Sequence, residues 1–395
     1  MPVFARVSGI TGAGRIALGS RLAVLVIGLL AVWLVGYELQ PLQFRVSRNE
    51  AENLPARFDA GWYLRLARRG YDWNEALRGR PQNVAFFPLY PALMRVSGDL
   101  VTVPARLLDQ PDWLGGGDAR VLWGGVLVSI ACFCVALVRL GRLAGQDTRD
   151  IAAGRRAVVL LSAWPFAFFF SAPYSEALFL LTSVSTVLAW RESHGLGRAF
   201  AWGVAAGLTR SNGWTLAIPL LVDVWRRRRE PDVAARLLAA TGPVAGMALF
   251  SGYVFTLTGR PLEWLSAQEG WGRTLSPFAF ITRRVASIVE LGPLGYVVDQ
   301  PVDALTAIAA FVTIATCFMW LRRGHWLEGV LGLCYLAPAL AIDLPATGRM
   351  TAVVFPTFIM LGRWLTGVRY GIVVGLAAAL QAWLAARFFL WQAPF

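Results

Sequence analysis

Long apolar runs return repeatedly along 395 residues, and that recurrence constrains the fold more than any single motif does. A bilayer-spanning helix needs ~20 apolar residues, somewhat fewer where a loop dips inward. Hydrophobic residues make up 56% of the chain, which therefore reads as an all-α polytopic membrane protein, a single integral domain over 1–395. Spans are expected near 22–40, 120–139, 156–173, 176–190, 237–258, 303–321, 326–343, 350–366 and 370–391. Residues 199–225 are long for one span and short for two. Arg191 and Arg198 precede them and Arg226 to Arg229 follow, and basic residues at both ends place both ends in the cytoplasm. A broken-helix hairpin with Arg210 to Gly213 at its tip satisfies that constraint. The count becomes about 11 helices, with the N-terminus cytoplasmic and the C-terminus outside.

The net charge of +13 comes from arginine alone, because the chain has no lysine. In so apolar a chain this charge reflects cytoplasmic loops rather than nucleic acid, and no nucleic-acid partner is expected. The lack of lysine also excludes a Schiff base on a protein amine. Cys132, Cys134, Cys317 and Cys334 lie in apolar runs without zinc-type spacing, and His194 and His325 sit singly in Arg-flanked loops, so neither metal nor cofactor is predicted. Arg6, Arg15 and Arg21 precede the first apolar run, and no convincing cleavage site follows it. Residues 1–21 are read as a cytoplasmic segment before a retained span.

This topology leaves a long external loop, 41–119, and gathers polar segments on the same non-cytoplasmic face. They are the loop itself, Pro173 to Phe179, Thr209 to Gly213, Ser266 to Pro277 and Ile342 to Met350. Ionisable groups at membrane depth are costly unless paired or lining an aqueous cavity, so such convergence points to a site. The plainer alternative is a set of ordinary external loops.

Four segments carry a family resemblance. The loop sequence "FDAGWYLRLARRGYDW…NVAFFPLYP", then "FFFSAPYSEALF", "TRSNG" and "GRMTAVVFPTF", resemble in order the motifs of the PIG-V family of mannosyltransferases, in a chain whose arginine-only, alanine-rich composition looks bacterial. Phe58 stands where that family usually has Trp. The resemblance covers roughly residues 22–366 and implies the GT-C architecture. It further implies transfer of a sugar, mannose by family, from a polyprenyl-phosphate carrier on the non-cytoplasmic face of the cell membrane. The acceptor is open: a cell-envelope glycolipid, a polysaccharide or an exported glycoprotein. Asp59 matches the family's early acidic residue, the expected general base.

An inverting transfer of this kind needs a carboxylate at the acceptor hydroxyl and cations at the departing phosphate. Asp59 supplies the first, or else it simply caps the helix that follows, whose Trp62, Tyr63, Leu66 and Ala67 share a face suited to the membrane surface. Arg210, Arg349 and Arg273 are the phosphate candidates. Arg210 has an equal alternative as the ion-pair partner of Glu176. Tyr174, Ser175, Glu176, Asn212, Trp62, Phe86, Phe87 and Gln268 are candidate substrate contacts. Ser175 can equally be an N-cap with Glu176 in the first turn, and the aromatics of "AFFPLYP" can be interfacial anchors, with Pro88 and Pro91 disrupting any helix there. The rival from another class is a polytopic transporter or flippase, which also uses broken helices. The expectation of no second, corresponding broken segment in the other half, together with the long amphipathic first loop, argues against it.

Overall fold

In a computed structural model, residues 3–38, 44–107, 117–148, 150–192, 194–272, 279–342 and 347–392 are described. They form helices and connecting turns, with no strand among them. Five helices are long and apolar enough to cross a bilayer: Gly12–Leu34, Gly117–Gln146, Val233–Thr258, Pro301–Arg322 and Gly367–Phe389. A sixth results if Ile151–Ala163 and Pro165–Ser171, bent by 78°, count as one span. Glu176–Trp190 and Trp326–Leu340 are apolar but shorter. The chain is a helical membrane protein, but length and composition do not reach the expected eleven spans. Buried core segments of such a bundle can be short, because neighbouring helices replace lipid around them.

Several expectations need correction. The first helix runs unbroken from Val3 to Leu34, so residue 21 marks no boundary. Arg21 is fully buried in the bundle rather than sitting at a cytoplasmic surface. Its surroundings give the reason. The turn at Trp164 and Pro165 breaks the third span and frees backbone carbonyls that an unbroken helix would use. Arg21 Nη2 donates to the Ser162 carbonyl at 2.8 Å, and Nη1 donates to the Ala167 carbonyl. Gln381, from the last helix, donates to the Ser162 and Trp164 carbonyls at 3.1 and 2.5 Å. Free carbonyls at membrane depth must find donors, and these two side chains supply them.

A second break divides Thr347–Val353 from Phe355–Trp364, with Pro356 in the first turn of the latter. Together with the break between Leu196–Thr209 and Ala217–Arg226, broken helices occur in both halves, so their distribution no longer counts against transport. The sequence also gave no sign of the helix Ala279–Asp299, which is kinked at Gly292 and Pro293.

The first loop packs on protein. Tyr63, Leu66 and Ala67, expected at the membrane surface, are buried, while Trp62 is half-buried. Phe87 and Tyr90 are buried too, which overturns the anchor reading for them: Phe87 packs on Phe250 at 4.6 Å, and the Tyr90 hydroxyl donates to the Gly125 carbonyl at 2.9 Å. Pro91 falls in the first turn of Leu89–Leu107, where a missing N–H has no intrahelical partner to lose.

The helix leading to Arg210 is set by close backbone approach. Gly203 and Gly207 on Leu196–Thr209 face Gly242 and Gly246 on Gly242–Thr258. A Cβ on Gly207 would strike the Pro243 carbonyl, and one on Gly246 the Val204 carbonyl. Small residues at such spacing let membrane helices pack by van der Waals contact. Gly207→Ala is expected to cost about 1–3 kcal/mol through forced separation. The check is the melting temperature in detergent, and an unchanged value would mean that this contact is not tight.

Candidate active site

Asp59 owes its position to its neighbours. Its backbone N–H donates to the Tyr174 hydroxyl at 3.0 Å, and that hydroxyl donates to the Arg57 carbonyl at 3.1 Å. Asp59 opens the helix Ala60–Arg69, which ends where Gly70 takes φ 76, but its side chain makes no capping hydrogen bond. The carboxylate turns instead to Arg349, whose Nη1 donates to Oδ2 at 3.1 Å. The capping alternative is therefore not what the structure contains.

Ser175 likewise occupies the N-cap position of Glu176–Trp190 without capping it. Its Oγ accepts from the Tyr63 hydroxyl at 2.9 Å and from Arg210 Nη1 at 3.3 Å. Burial pushes the Tyr63 hydroxyl up to about 12, so it stays protonated and donating at neutral pH. Glu176 is buried beneath these groups, with Oε1 2.5 Å from Arg210 and 3.8 Å from Arg349. The ion pair weighed as the alternative for Arg210 is thus present. Two carboxylates and two guanidiniums form one cluster whose formal charges cancel.

A half-open cavity faces this cluster. Asp59 and Tyr63 line it from the first loop, Ser175 from the next helix start, Thr209, Arg210 and Ser211 from the broken segment, and Arg349 from the late helix. Phe86, Phe87, Gln268 and Trp271 complete its wall. Gln268 Nε2 donates to the Ala85 carbonyl at 3.0 Å, tying the segment Ala267–Trp271 to the first loop. Trp62 stands behind the wall, stacked on Phe86 at 5.8 Å and edge-on to Trp271 at 5.3 Å. Tyr174 and Glu176 support the cluster from within, and Asn212 faces the Met350 sulfur at 3.8 Å; none of the three lines the cavity. Arg273 lies outside the described residues. Tyr63 and Trp271 were not foreseen as wall residues. The helical spacing of Tyr63 suggests a membrane face instead, and a lone Trp in a polar segment carries little signal.

The cluster can hold an anion beside a carboxylate, which suits group transfer from a phosphate-linked donor. A family profile described as Mannosyltransferase (PIG-V) matches residues 45–221. GPI mannosyltransferase 2 of Drosophila melanogaster is 26% identical over 254 residues, 59% of this chain and 53% of that protein. Its counterpart in Drosophila pseudoobscura pseudoobscura is 28% identical over 203 residues, 47% of this chain and 42% of that one. The chain therefore spans about half the length of these curated relatives. The crystal structure of ArnT from Cupriavidus metallidurans bound to undecaprenyl phosphate resembles this fold with a TM-score of 0.52 at 14% identity, covering 93% of this chain and 64% of that one. The matched segment supplies Asp59, Glu176 and Arg210, and over residues 45–221 the chain resembles the PIG-V family of mannosyltransferases, on a helical fold similar to that of the ArnT structure.

Proposed function

We propose that the protein transfers a sugar, mannose by family, from a polyprenyl-phosphate carrier to an acceptor hydroxyl on the non-cytoplasmic face of the membrane. The observation that carries this reading is the uncapped Asp59 carboxylate at the cavity, held by Arg349 beside Arg210. Asp59 accepts the acceptor's hydroxyl proton as the oxygen bonds to the anomeric carbon. The bond from that carbon to the phosphate oxygen breaks, and the phosphate leaves on the carrier lipid. Attack opposite the departing phosphate inverts the anomeric centre. Undecaprenyl phosphate in the ArnT structure supports a carrier of this class.

Arg210 is the proposed phosphate contact. It lines the cavity and is less enclosed than Arg349, with 14% of its side chain exposed against 7%. Arg349, already engaged by Asp59, acts in this proposal mainly to hold the carboxylate. Phe86, Phe87 and Gln268 are assigned to the wall that meets the sugar or the first carrier units, with Trp62 backing Phe86. Arg210→Lys keeps the charge on Glu176 but loses the planar fork. Donor affinity is expected to fall about ten- to hundredfold with little change in melting temperature. Unchanged affinity would move the phosphate role to Arg349.

The direct test supplies purified protein in lipid with polyprenyl-phosphate mannose and an extract of envelope acceptors. Mannosylated product and released polyprenyl phosphate, identified by mass spectrometry, support transfer. Movement of the donor across vesicles with no product would instead support transport.

A further inference from the structure

Arg57, two residues before Asp59, is fully buried. Its Nε donates to the Phe389 carbonyl at 2.8 Å, and Nη1 donates to the Asn53 and Ala56 carbonyls at 2.9 and 3.0 Å. Nη2 donates to the Tyr37 hydroxyl at 3.3 Å. The guanidinium also lies over the Tyr37 and Trp391 rings, at 4.9 and 5.4 Å. Phe389 closes the helix Gly367–Phe389, so Arg57 brings positive charge and a donor to a helix end whose last carbonyls lack intrahelical partners.

The backbone between Arg57 and Asp59 is unusual. Phe58 has φ 47, and among the described residues Trp391 is the other non-glycine residue with positive φ, at 61. Their rings pack together with centroids 5.0 Å apart, and Phe58 also meets Phe388 at 5.5 Å. Left-handed backbone is disfavoured for a residue with a bulky side chain, and it persists where its surroundings over-determine it. Here the two strained residues hold each other, one before the candidate base and one beyond the last helix.

We propose that Arg57 is a positioning residue for Asp59, locking the Arg57–Phe58–Asp59 turn onto the end of the Gly367–Phe389 helix so that the carboxylate faces the cavity. The inference rests on Asp59 being the base. It adds that the aim of this carboxylate depends on a helix end 332 positions away from Arg57 in sequence. Lysine at position 57 would keep the charge, but its single ammonium cannot serve the Phe389, Asn53 and Ala56 carbonyls in their present directions.

The test measures kcat, donor KM and melting temperature for Arg57→Lys, Trp391→Ala, Asp59→Asn and the double variant Arg57→Lys/Asp59→Asn. Misaiming by about an ångström is worth roughly 10²-fold in rate, so Arg57→Lys is expected to lose kcat on that scale with donor KM nearly unchanged. Trp391→Ala is expected to lose roughly tenfold by the same route. The double variant should be no slower than Asp59→Asn alone, because Arg57 acts through a base already removed. A merely structural Arg57 would lower melting temperature and slow the double variant further, and that result overturns the proposal. Wild-type kcat in Arg57→Lys overturns it as well. If Arg57→Lys does not fold, Trp391→Ala decides by the same kcat criterion. Full activity in Asp59→Asn would instead remove the base assignment itself, so the two failures are distinguishable.

Discussion

Asp59→Asn is expected to slow transfer by about 10²–10⁴-fold, the range associated with losing a positioned general base. The substitution keeps the shape of the side chain and an oxygen that can accept from Arg349 Nη1, now 3.1 Å from Oδ2. Arg349 also retains Glu176 at 3.8 Å, and Asp59, with 20% of its side chain exposed, sits where solvent screens the lost charge better than at the enclosed Glu176. Because the Asp59 side chain makes no capping bond, the following helix loses nothing at its start. Folding and donor binding should therefore survive, and the loss should fall on kcat. The measurement is turnover of polyprenyl-phosphate mannose by the purified variant, alongside its melting temperature. Near-normal turnover would remove Asp59 from the mechanism. A large fall in melting temperature would show that the Asp59–Arg349 pair is mainly structural.

The sequence revealed most of the cluster and little of what holds it. Asp59, Glu176, Arg210 and Arg349 each lie in one of four recognisable segments, and these are the residues that meet around the cavity. Hydropathy misread the charges that the fold neutralises or buries. Arg21 looks like a topology signal until the bend at Trp164 and its freed carbonyls are seen. The helix Ala279–Asp299 was hidden by its charges, yet Arg284 reaches Asp303 of the next helix with Nε and Nη2 at 2.8 and 3.0 Å, and the Tyr296 hydroxyl donates to the same carboxylate at 2.7 Å. Amphipathicity in Ala60–Arg69 was real but misassigned. A periodic apolar face says that something covers it, and here protein rather than lipid covers Tyr63, Leu66 and Ala67. The contact of Arg57 with the Phe389 carbonyl had no local signature, because backbone oxygens are present everywhere.

Glu176 carries the other large expected effect, on stability rather than on chemistry. Its carboxylate is 1% exposed and stands between Arg210 and Arg349. Removing one member of a buried ion pair leaves an uncompensated charge and costs about 3–5 kcal/mol. Glu176→Gln preserves volume but leaves two guanidiniums facing Asp59 alone, so a loss of that order is expected in thermal melting. Neutralising Arg210 as well should recover much of it, since an amide pair of similar shape carries no net charge: Glu176→Gln/Arg210→Gln should be more stable than the sum of the single losses allows. Donor affinity should not recover with it if Arg210 meets the carrier phosphate, because the double variant has lost that cation. Stability and binding thus separate in one set of three variants. An unchanged melting temperature in Glu176→Gln would mean that water or a mobile Arg210 already screens the pair, and the cluster would then no longer account for how Arg210 and Arg349 are held.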